Sequence, residues 1–211
     1  MGRYLDKDGD GIPYRTVPGN KHPLSSYFTR GTGHDEHARY TEDSSVFLQN
    51  MERLKKKFKT AKQYLPKPII HRTEGAKIGI IAYGSTEAAI NEARVQLERD
   101  HDMQTSFLRV RAIPFAAEVD EFIRAHDQIG VVEMNRDGQL YQLLTLAYPE
   151  AAMKFRSVAY GDGMPASARW VREGLLATIA KTVKADPAEE DMQPTVSLGA
   201  AEEDAVTEGV K

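Results

Sequence analysis

Four strand-like segments, each followed by a helix-like segment, succeed one another between residues 77 and 183. The first strand reads KIGIIAY and its helix reads TEAAINEARVQLERD. The other three pairs are TSFLRVRA with AAEVDEFIRAH, IGVVEMN with GQLYQLLTLAY, and FRSVAY with PASARWVREGLLATIAKTV, whose Pro165 is expected in the first helical turn. This alternation predicts a three-layer α/β/α fold, in which helices cover both faces of a mainly parallel sheet.

Composition divides the chain into three regions. Residues 1–70 begin as an irregular arm rich in Gly, Pro, His and Tyr, followed by a helix predicted over residues 44–65 with Ser44 as its N-cap. Residues 71–184 hold the strand–helix units, and residues 185–211 form an acidic tail that we predict to be disordered. The predicted first helix carries apolar side chains at helical spacing, namely Phe47, Met51, Leu54, Phe58 and Ala61.

Charge and cysteine content narrow the function classes. A formal net charge of -3 gives no overall attraction to nucleic acid or to an acidic membrane surface, so neither is expected as a partner. The chain has no cysteine, which excludes disulfides, a cysteine nucleophile and thiolate ligation of a metal or iron–sulfur cluster by its own residues. The N-terminus is polar and no apolar run approaches membrane-spanning length, so a cytoplasmic location is expected.

The stretch DKDGDG near the start of the chain matches the first half of an EF-hand calcium loop. Asp6, Asp8 and Asp10 occupy ligand positions, and Gly11 occupies the glycine position. The twelfth position, which needs a bidentate glutamate, is Val17. We therefore predict an acidic turn rather than a metal site.

The loop around Gly84 and Ser85 follows a predicted strand and opens a predicted helix. Backbone N–H groups in such a position can bind phosphate. The spacing fits neither a Rossmann fingerprint nor a P-loop. The favoured interpretation is a tight turn with Ser85 or Thr86 as the helix cap and Glu87 in the first turn.

The loop EMNRDGQL places Asn135 and Arg136 at the carboxyl end of another predicted strand. Open α/β sheets bind ligands at such strand ends. The alternative is helix capping by Asn135 or Asp137, with Arg136 on the surface. The sequence leaves both interpretations open.

The segment YFTRGTGHDEHARY is the densest cluster of chemically capable groups. His34 and His37, with adjacent carboxylates, are capable of metal binding or proton transfer. The glycines favour a loop packed against another surface. We therefore consider six residues as a candidate loop facing an active site or a partner: Arg30, Gly31, Thr32, Gly33, His34 and Asp35.

The basic stretch RLKKKFKTAK, from Arg53 to Lys62, could contact a polyanion. On an amphipathic helix such a stretch is more often a solvated face. We therefore favour the solvated face and keep polyanion binding as an alternative.

Six blocks in order carry a family resemblance: DGIPYRTVPG, YFTRGTGHDE, NMERLKKKF, YGSTEAAINEA, LRVRAIPF and VVEMNRDGQL. Over roughly residues 3–183 the chain resembles the C-terminal part of the alpha subunit of 2-oxoacid:ferredoxin oxidoreductases, nearest the 2-oxoglutarate type. The resemblance implies that residues 71–184 are similar to the transketolase C-terminal domain. It also implies that residues 1–70 are the end of a pyrimidine-side domain and its connecting segment.

The resemblance implies oxidative decarboxylation of a 2-oxoacid to its acyl-CoA, with electrons passed to ferredoxin. It places thiamine diphosphate, magnesium and a 4Fe–4S cluster on a beta subunit, a division that agrees with the lack of cysteine here. The family's Tyr-Pro-Ile-Thr motif and substrate-binding arginine precede the matched region, so no catalytic or metal-binding residue and no cofactor bound by this chain alone are expected.

The expected role is therefore a structural, interface-forming part of the enzyme, inactive by itself. Its expected partners are the beta subunit, the remaining alpha-subunit domains and ferredoxin. A stand-alone α/β domain that binds a small ligand through the Gly84 and Asn135 loops is the alternative. The acyl substrate, the electron acceptor, the oligomeric state and whether the chain is a fragment stay open.

Overall fold

The computed structural model describes residues 2–26 and 33–183. Its helices are α1 (Ser44–Ala61), α2 (Glu87–His101), α3 (Ala117–Arg124), α4 (Gln139–Ala147) and α5 (Ala168–Val183). Its strands are β1 (Ile69–His71), β2 (Ile78–Tyr83), β3 (Thr105–Val110), β4 (Gln128–Glu133) and β5 (Phe155–Ala159). Short 3₁₀ helices cover Gly84–Thr86 and Pro149–Lys154. The boundaries predicted at residues 1–70 and 71–184 stay predictions, and the predicted tail at residues 185–211 lies outside the described residues.

The five strands form one sheet in the order β1-β3-β2-β4-β5. The pairs β2–β3, β2–β4 and β4–β5 are parallel, which confirms the predicted, mainly parallel sheet. β1 was not predicted, because three residues are too few to show a periodicity. It runs antiparallel to β3 at the edge of the sheet, with Ile70 opposite Leu108.

Helices cover both faces of the sheet, as the alternation of strands and helices predicts. On one face, α2 and α5 pack over sheet residues that include Ile80 and Val132. On the other face, α3 and α4 pack over residues that include Ile81 and Val131. Successive residues of one strand thus enter different cores. The three-layer α/β/α architecture is confirmed.

The first helix begins one residue away from its predicted cap. Asp43 is the N-cap, and its carboxylate accepts the backbone N–H groups of Ser45 and Val46 at 2.8 and 3.3 Å. Ser44 is already helical, so the prediction of Ser44 as the cap is wrong. The hydroxyl of Ser45 also donates to this carboxylate. This hydrogen bond, followed by those from the two backbone N–H groups, lowers the pKa of the Asp43 carboxyl below its ordinary value.

The predicted end of this helix at residue 65 is also wrong. α1 ends at Ala61, and the chain continues as a turn closed by the hydrogen bond from the N–H of Tyr64 to the Ala61 carbonyl. Pro66 follows Leu65 and disfavours helical backbone there, so the last predicted turn does not form.

Helix α5 starts later than predicted. Pro165 precedes the helix instead of lying in its first turn, because α5 begins at Ala168. Ser167 forms the start: its hydroxyl accepts the N–H of Trp170 at 3.2 Å, and its carbonyl accepts that of Val171. Within residues 2–26 and 33–183, no helix combines the length and the apolar content that crossing a membrane requires.

Candidate functional site at the carboxyl edge of the sheet

The neighbouring strands β2 and β4 send their following helices to opposite faces of the sheet. α2 leaves β2 towards the face that it shares with α5, whereas α4 leaves β4 towards the face of α3. Such a reversal opens a crevice outside the carboxyl ends of the strands, where open α/β sheets bind ligands. The four predicted strand-end residues occupy the two loops at this point: Gly84, Ser85, Asn135 and Arg136.

The β2–α2 loop is a tight turn, as predicted. Gly84 has a φ of +69°, a conformation that glycine adopts without a steric cost. Thr86 occupies the N-cap position of α2, as one of the two predicted caps, but its hydroxyl accepts no N–H group of the helix and instead donates to the carbonyl of Tyr83 at 2.9 Å. Glu87 does lie in the first turn of α2, as predicted.

Glu87 brings a charged cluster to this edge of the sheet. One of its carboxylate oxygens accepts from Arg109 at 2.5 Å, and the other lies 4.0 Å from Nε2 of His71 on β1. A carboxylate at the first turn of α2 disfavours a bound anion at the same helix end, because both compete for one positive region. The phosphate-binding interpretation of this turn is therefore disfavoured.

Glu133, at the end of β4, holds the start of α4. Its side chain is buried, and its two carboxylate oxygens accept the backbone N–H groups of Leu140 and Tyr141 at 2.9 and 3.0 Å. Gly138 precedes α4 with a φ of +62° and approaches the same carboxylate. Sequence analysis missed Glu133, although a glutamate at the end of an apolar strand is an unusual residue for a core position.

Asn135 and Asp137 do not cap α4, so that alternative is wrong. The side-chain oxygen of Asn135 accepts the N–H of Asp137 at 2.9 Å and closes a local turn. Arg136 lies on the surface as that alternative expected, and its guanidinium binds the Asp137 carboxylate with Nε at 2.7 Å. The pair faces solvent, so it adds little stability.

Two open clefts flank the loops at the strand ends. The first has a volume of about 610 Å³. Its wall carries two cations, Arg109 and Arg111, and the exposed apolar side chains Tyr83, Ile113 and Leu143. Gly84 also lines it. The two arginines were not predicted as site residues, because the apolar pattern of a strand does not show which other loops meet its carboxyl end in the folded sheet.

The second cleft has a volume of about 690 Å³ and lies beside the start of α2. Its lining includes Ser85, Arg136 and Met164, with small residues such as Gly161 between them. Three of the four predicted strand-end residues thus line one of the two clefts, whereas Asn135 lines neither.

The described residues of these two clefts could bind a ligand, but they include no side chain suited to general acid–base catalysis. Their charged groups are arginines, and no His, Asp or Glu lies among the residues of either wall. An anion or an amphipathic molecule fits this combination of guanidinium groups and apolar side chains. Within the described ranges, no three His, Asp or Glu side chains are grouped so that they could hold a metal ion.

Half of the candidate N-terminal loop lies outside the described residues, namely Arg30, Gly31 and Thr32. Gly33, His34 and Asp35 form a loop, as predicted, against α1. His34 is buried, stacks on Tyr4 with ring centroids 5.5 Å apart, and its carbonyl accepts from Asn50 of α1 at 2.7 Å.

Asp35 organises the turn that follows this loop. Its carboxylate accepts the backbone N–H groups of Arg39 and His37, each at 2.9 Å, and these bonds lower its pKa from the ordinary value. The Asp35 carboxylate thus bonds to the backbone of its own turn. In the described part of the loop, the side chains support packing against α1 and not proton transfer.

The DKDGDG stretch is a turn, as predicted. Asp6 accepts the N–H of Gly11 at 2.9 Å, and Asp10 accepts that of Ile12 at 2.7 Å. The carbonyl of Asp10 also accepts from the hydroxyl of Thr60 at 2.6 Å, which fixes the turn to α1.

A curated relative of this chain is 2-oxoacid:ferredoxin oxidoreductase 2, subunit alpha, of Aeropyrum pernix. The two are 31% identical over 140 residues, which are 64% of this chain and 21% of the relative. No protein-family model matches the chain. The predicted relationship to the alpha subunit of 2-oxoacid:ferredoxin oxidoreductases is confirmed, and the match spans about a fifth of the relative's length.

A solved structure with the same fold is 2-oxoglutarate:ferredoxin oxidoreductase from Magnetococcus marinus with 2-oxoglutarate, coenzyme A and succinyl-CoA bound. The TM-score is 0.65 at 20% identity, over 83% of this chain and 30% of that chain. A split gene transketolase, described as an inactive beta4 tetramer, gives a TM-score of 0.46 at 19% identity, over 54% of this chain and 41% of that chain.

Proposed function

We propose that this chain is part of the alpha subunit of a thiamine-diphosphate-dependent 2-oxoacid:ferredoxin oxidoreductase. The enzyme would oxidatively decarboxylate a 2-oxoacid to its acyl-CoA and reduce ferredoxin. The observation that carries the proposal is the 31% identity to an oxidoreductase alpha subunit over 140 residues. The substrate that we propose first is 2-oxoglutarate, which the solved relative from Magnetococcus marinus contains.

Within the enzyme, we assign this chain a structural and interface-forming role. The described clefts offer arginines and apolar walls but no acid–base pair, and the N-terminal loop uses Asp35 for its own backbone. Turnover then depends on residues outside this sequence, in the beta subunit or in the remaining alpha-subunit domains. The isolated chain is expected to be inactive, in the cytoplasmic location that the sequence predicts.

The residues present do not fit the cofactors of such an enzyme. A 4Fe–4S cluster needs thiolate ligands, and the chain has no cysteine. Magnesium needs several converging oxygen ligands, and no group of three acidic or histidine side chains is placed for this among the described residues. We therefore propose that a beta subunit holds thiamine diphosphate, magnesium and the cluster, with coenzyme A bound in the assembled enzyme.

Purification of the tagged chain from its own cells tests this assignment. Mass spectrometry identifies the proteins recovered with it, and thiamine diphosphate and iron are quantified in the same sample. We expect a cysteine-containing, thiamine-binding chain together with both cofactors. Recovery of the tagged chain alone, without thiamine diphosphate or iron, would overturn the proposal.

A second function, binding of a small anionic ligand by the isolated domain, is favoured by one observation. The two clefts lie at the crevice where α2 and α4 diverge, and they contain Arg109, Arg111 and Arg136. Glu87 and Asp137 already pair with Arg109 and Arg136, so a bound anion would compete with these carboxylates. A ligand at 100 times its Kd stabilises a protein by about 2.7 kcal/mol. Thermal unfolding with thiamine diphosphate, coenzyme A or nucleotides tests this function, and an unchanged Tm with all of them argues against it.

A further inference from the structure

Helix α1 exposes an apolar stripe that consists of Phe47, Met51, Leu54 and Phe58. Phe47 and Phe58 are each 59% exposed, and Met51 is 40% exposed. No residue of α1 is buried. A stripe with this spacing on an amphipathic helix ordinarily faces a core or a partner, because exposed aromatic side chains are unfavourable in water.

The neighbouring face of α1 is already covered by the N-terminal arm. Asn50 donates to the carbonyl of His34, and Arg53 donates to that of Gly11 at 3.2 Å. Thr60 makes the corresponding contact with Asp10. The arm therefore accounts for the polar face of the helix and leaves the α1 stripe exposed.

Lysines line the other edge of the α1 stripe. A helix turns about 100° per residue, so Lys55, Lys59 and Lys62 lie along the edge of the stripe opposite Asn50. Lys55 and Lys59 also line a groove that Tyr4, Asp6 and Glu36 of the arm border. All three lysines are exposed, and the nearest carboxylate to Lys55 is that of Glu52 at 4.0 Å. A surface that covers the stripe thus meets apolar groups in the middle and positive charge at one edge.

We infer that the α1 stripe binds a separate, folded protein chain whose contact surface is apolar and edged by Asp and Glu side chains. This inference rests on the proposed function: the partner is a subunit or domain of the oxidoreductase. The match to the Magnetococcus marinus structure covers 30% of that chain, so most of that protein lies outside the part that corresponds to this chain.

Two other occupants of the α1 stripe are less favourable, namely the chain's own segment 185–211 and a second copy of the chain. The chain's own acidic segment 185–211 complements the lysines, but its large apolar residues are few and none is aromatic: Met192, Val196, Leu198, Val206 and Val210. Its composition predicts disorder, and a disordered segment loses conformational entropy at every residue that binding orders. A folded partner loses far less.

A second copy of this chain is disfavoured for a different reason. Antiparallel packing of two α1 helices about a two-fold axis places both lysine edges on the same side of the contact. Like charges brought together in this way oppose association. The partner that best satisfies the lysines carries carboxylates instead.

Photo-crosslinking in the full chain tests the inference. Phe58 is replaced by p-benzoylphenylalanine, and the matched control carries the same probe at Leu146, an exposed apolar residue of α4 (79% exposed). The chain is expressed in its own cells, irradiated, and the crosslinked peptides are sequenced. We expect the Phe58 probe to capture a thiamine-binding or cluster-bearing chain, or a separate alpha-subunit domain, and the Leu146 probe to capture none.

The outcomes separate the inference from the proposed function. Capture of residues 185–211 or of a second copy by the Phe58 probe overturns the inference. Capture of an oxidoreductase chain by the Leu146 probe alone also overturns it, but leaves the proposed function standing. If neither probe captures an oxidoreductase chain, and none copurifies, both fail.

Binding measured with the captured partner tests the chemistry of the contact. Phe58→Asp should weaken the complex more than about thirtyfold, since it places an unpaired charge in an apolar contact. Lys55→Glu/Lys59→Glu should weaken it about tenfold at low salt, with a smaller effect at high salt. Leu146→Asp should leave the Kd unchanged. Equal effects of Phe58→Asp and Leu146→Asp would contradict the inference.

Discussion

The carboxylate of Glu133, at the carboxyl end of β4, accepts the backbone N–H of Leu140 at 2.9 Å in the first turn of α4. Its second oxygen accepts the next N–H, that of Tyr141. The residue in the N-cap position is Gly138, which has no side chain. Glu133 of the strand therefore accepts the N–H groups that an N-cap side chain would otherwise accept. This contact fixes the direction in which the β4–α4 loop leaves the sheet, and therefore shapes the edge that carries both clefts.

Removal of this carboxylate should destabilise the fold. Glu133→Ala leaves two N–H groups without their charged acceptor, and we expect a loss of about 2–4 kcal/mol in the free energy of unfolding. Glu133→Gln keeps one acceptor oxygen, so its loss should be smaller. Urea unfolding measures both variants. Glu121→Ala, which removes an exposed glutamate of α3, is the control, and a loss as small as that of the control would contradict the capping role.

Gly130 lets α5 pack closely on the centre of the sheet. A Cβ at this position would clash with a methyl group of Leu175. Gly130→Ala should therefore lower the free energy of unfolding by about 1–3 kcal/mol. Leu175→Val shortens the opposing side chain, so the double variant should lose less than the sum of the two single losses. Strictly additive losses would show that the two residues do not contact each other.

His126 should make stability depend on pH. It is buried, its Nδ1–H donates to the carbonyl of Phe122 at 2.7 Å, and burial lowers its pKa below the ordinary value. The unfolded chain binds a proton first as the pH falls. The stabilising contribution is therefore fully present above about pH 6.5 and is lost as the pH falls through that value towards the lower folded pKa.

Thermal unfolding between pH 7.5 and 5 measures this effect. We expect the Tm of the wild-type chain to fall over this range, and His126→Gln to show a shallower fall because the buried titrating group is gone. His101→Gln removes an exposed histidine of α2 and should keep the wild-type profile. Parallel profiles of the wild type and His126→Gln would contradict the prediction.

Gly11 fixes the arm to α1. It has a φ of +83°, and a Cβ there would lie 2.8 Å from the carbonyl oxygen of Arg53. Gly19 has a similar φ of +91° but no atom within 4 Å of such a Cβ. Alanine at either position strains the backbone equally, so the difference between the two variants isolates the contact with α1. We expect amide exchange at Ile12 to be about tenfold faster or more in Gly11→Ala than in Gly19→Ala. Equal rates would mean that the arm does not depend on this contact.

The sequence predicted those features that depend on local periodicity. The four parallel strands, their helices and the turn at Gly84 follow from apolar spacing and from the conformational freedom of glycine. The role of Glu133 does not, because its partners Leu140 and Tyr141 come within reach only when the loop folds back. β1 was missed because its three residues pair only with β3, and α1 ends early because Pro66 outweighs the helical pattern before it.

We propose that this chain belongs to a working 2-oxoacid:ferredoxin oxidoreductase. Deletion of its gene in the native cells, followed by a coenzyme A-dependent assay of 2-oxoacid oxidation with ferredoxin as acceptor, tests this most directly. We predict that oxidation of 2-oxoglutarate is lost and is restored by the wild-type gene. Unchanged oxidation of 2-oxoglutarate, pyruvate and branched-chain 2-oxoacids in the deletion strain would contradict the account.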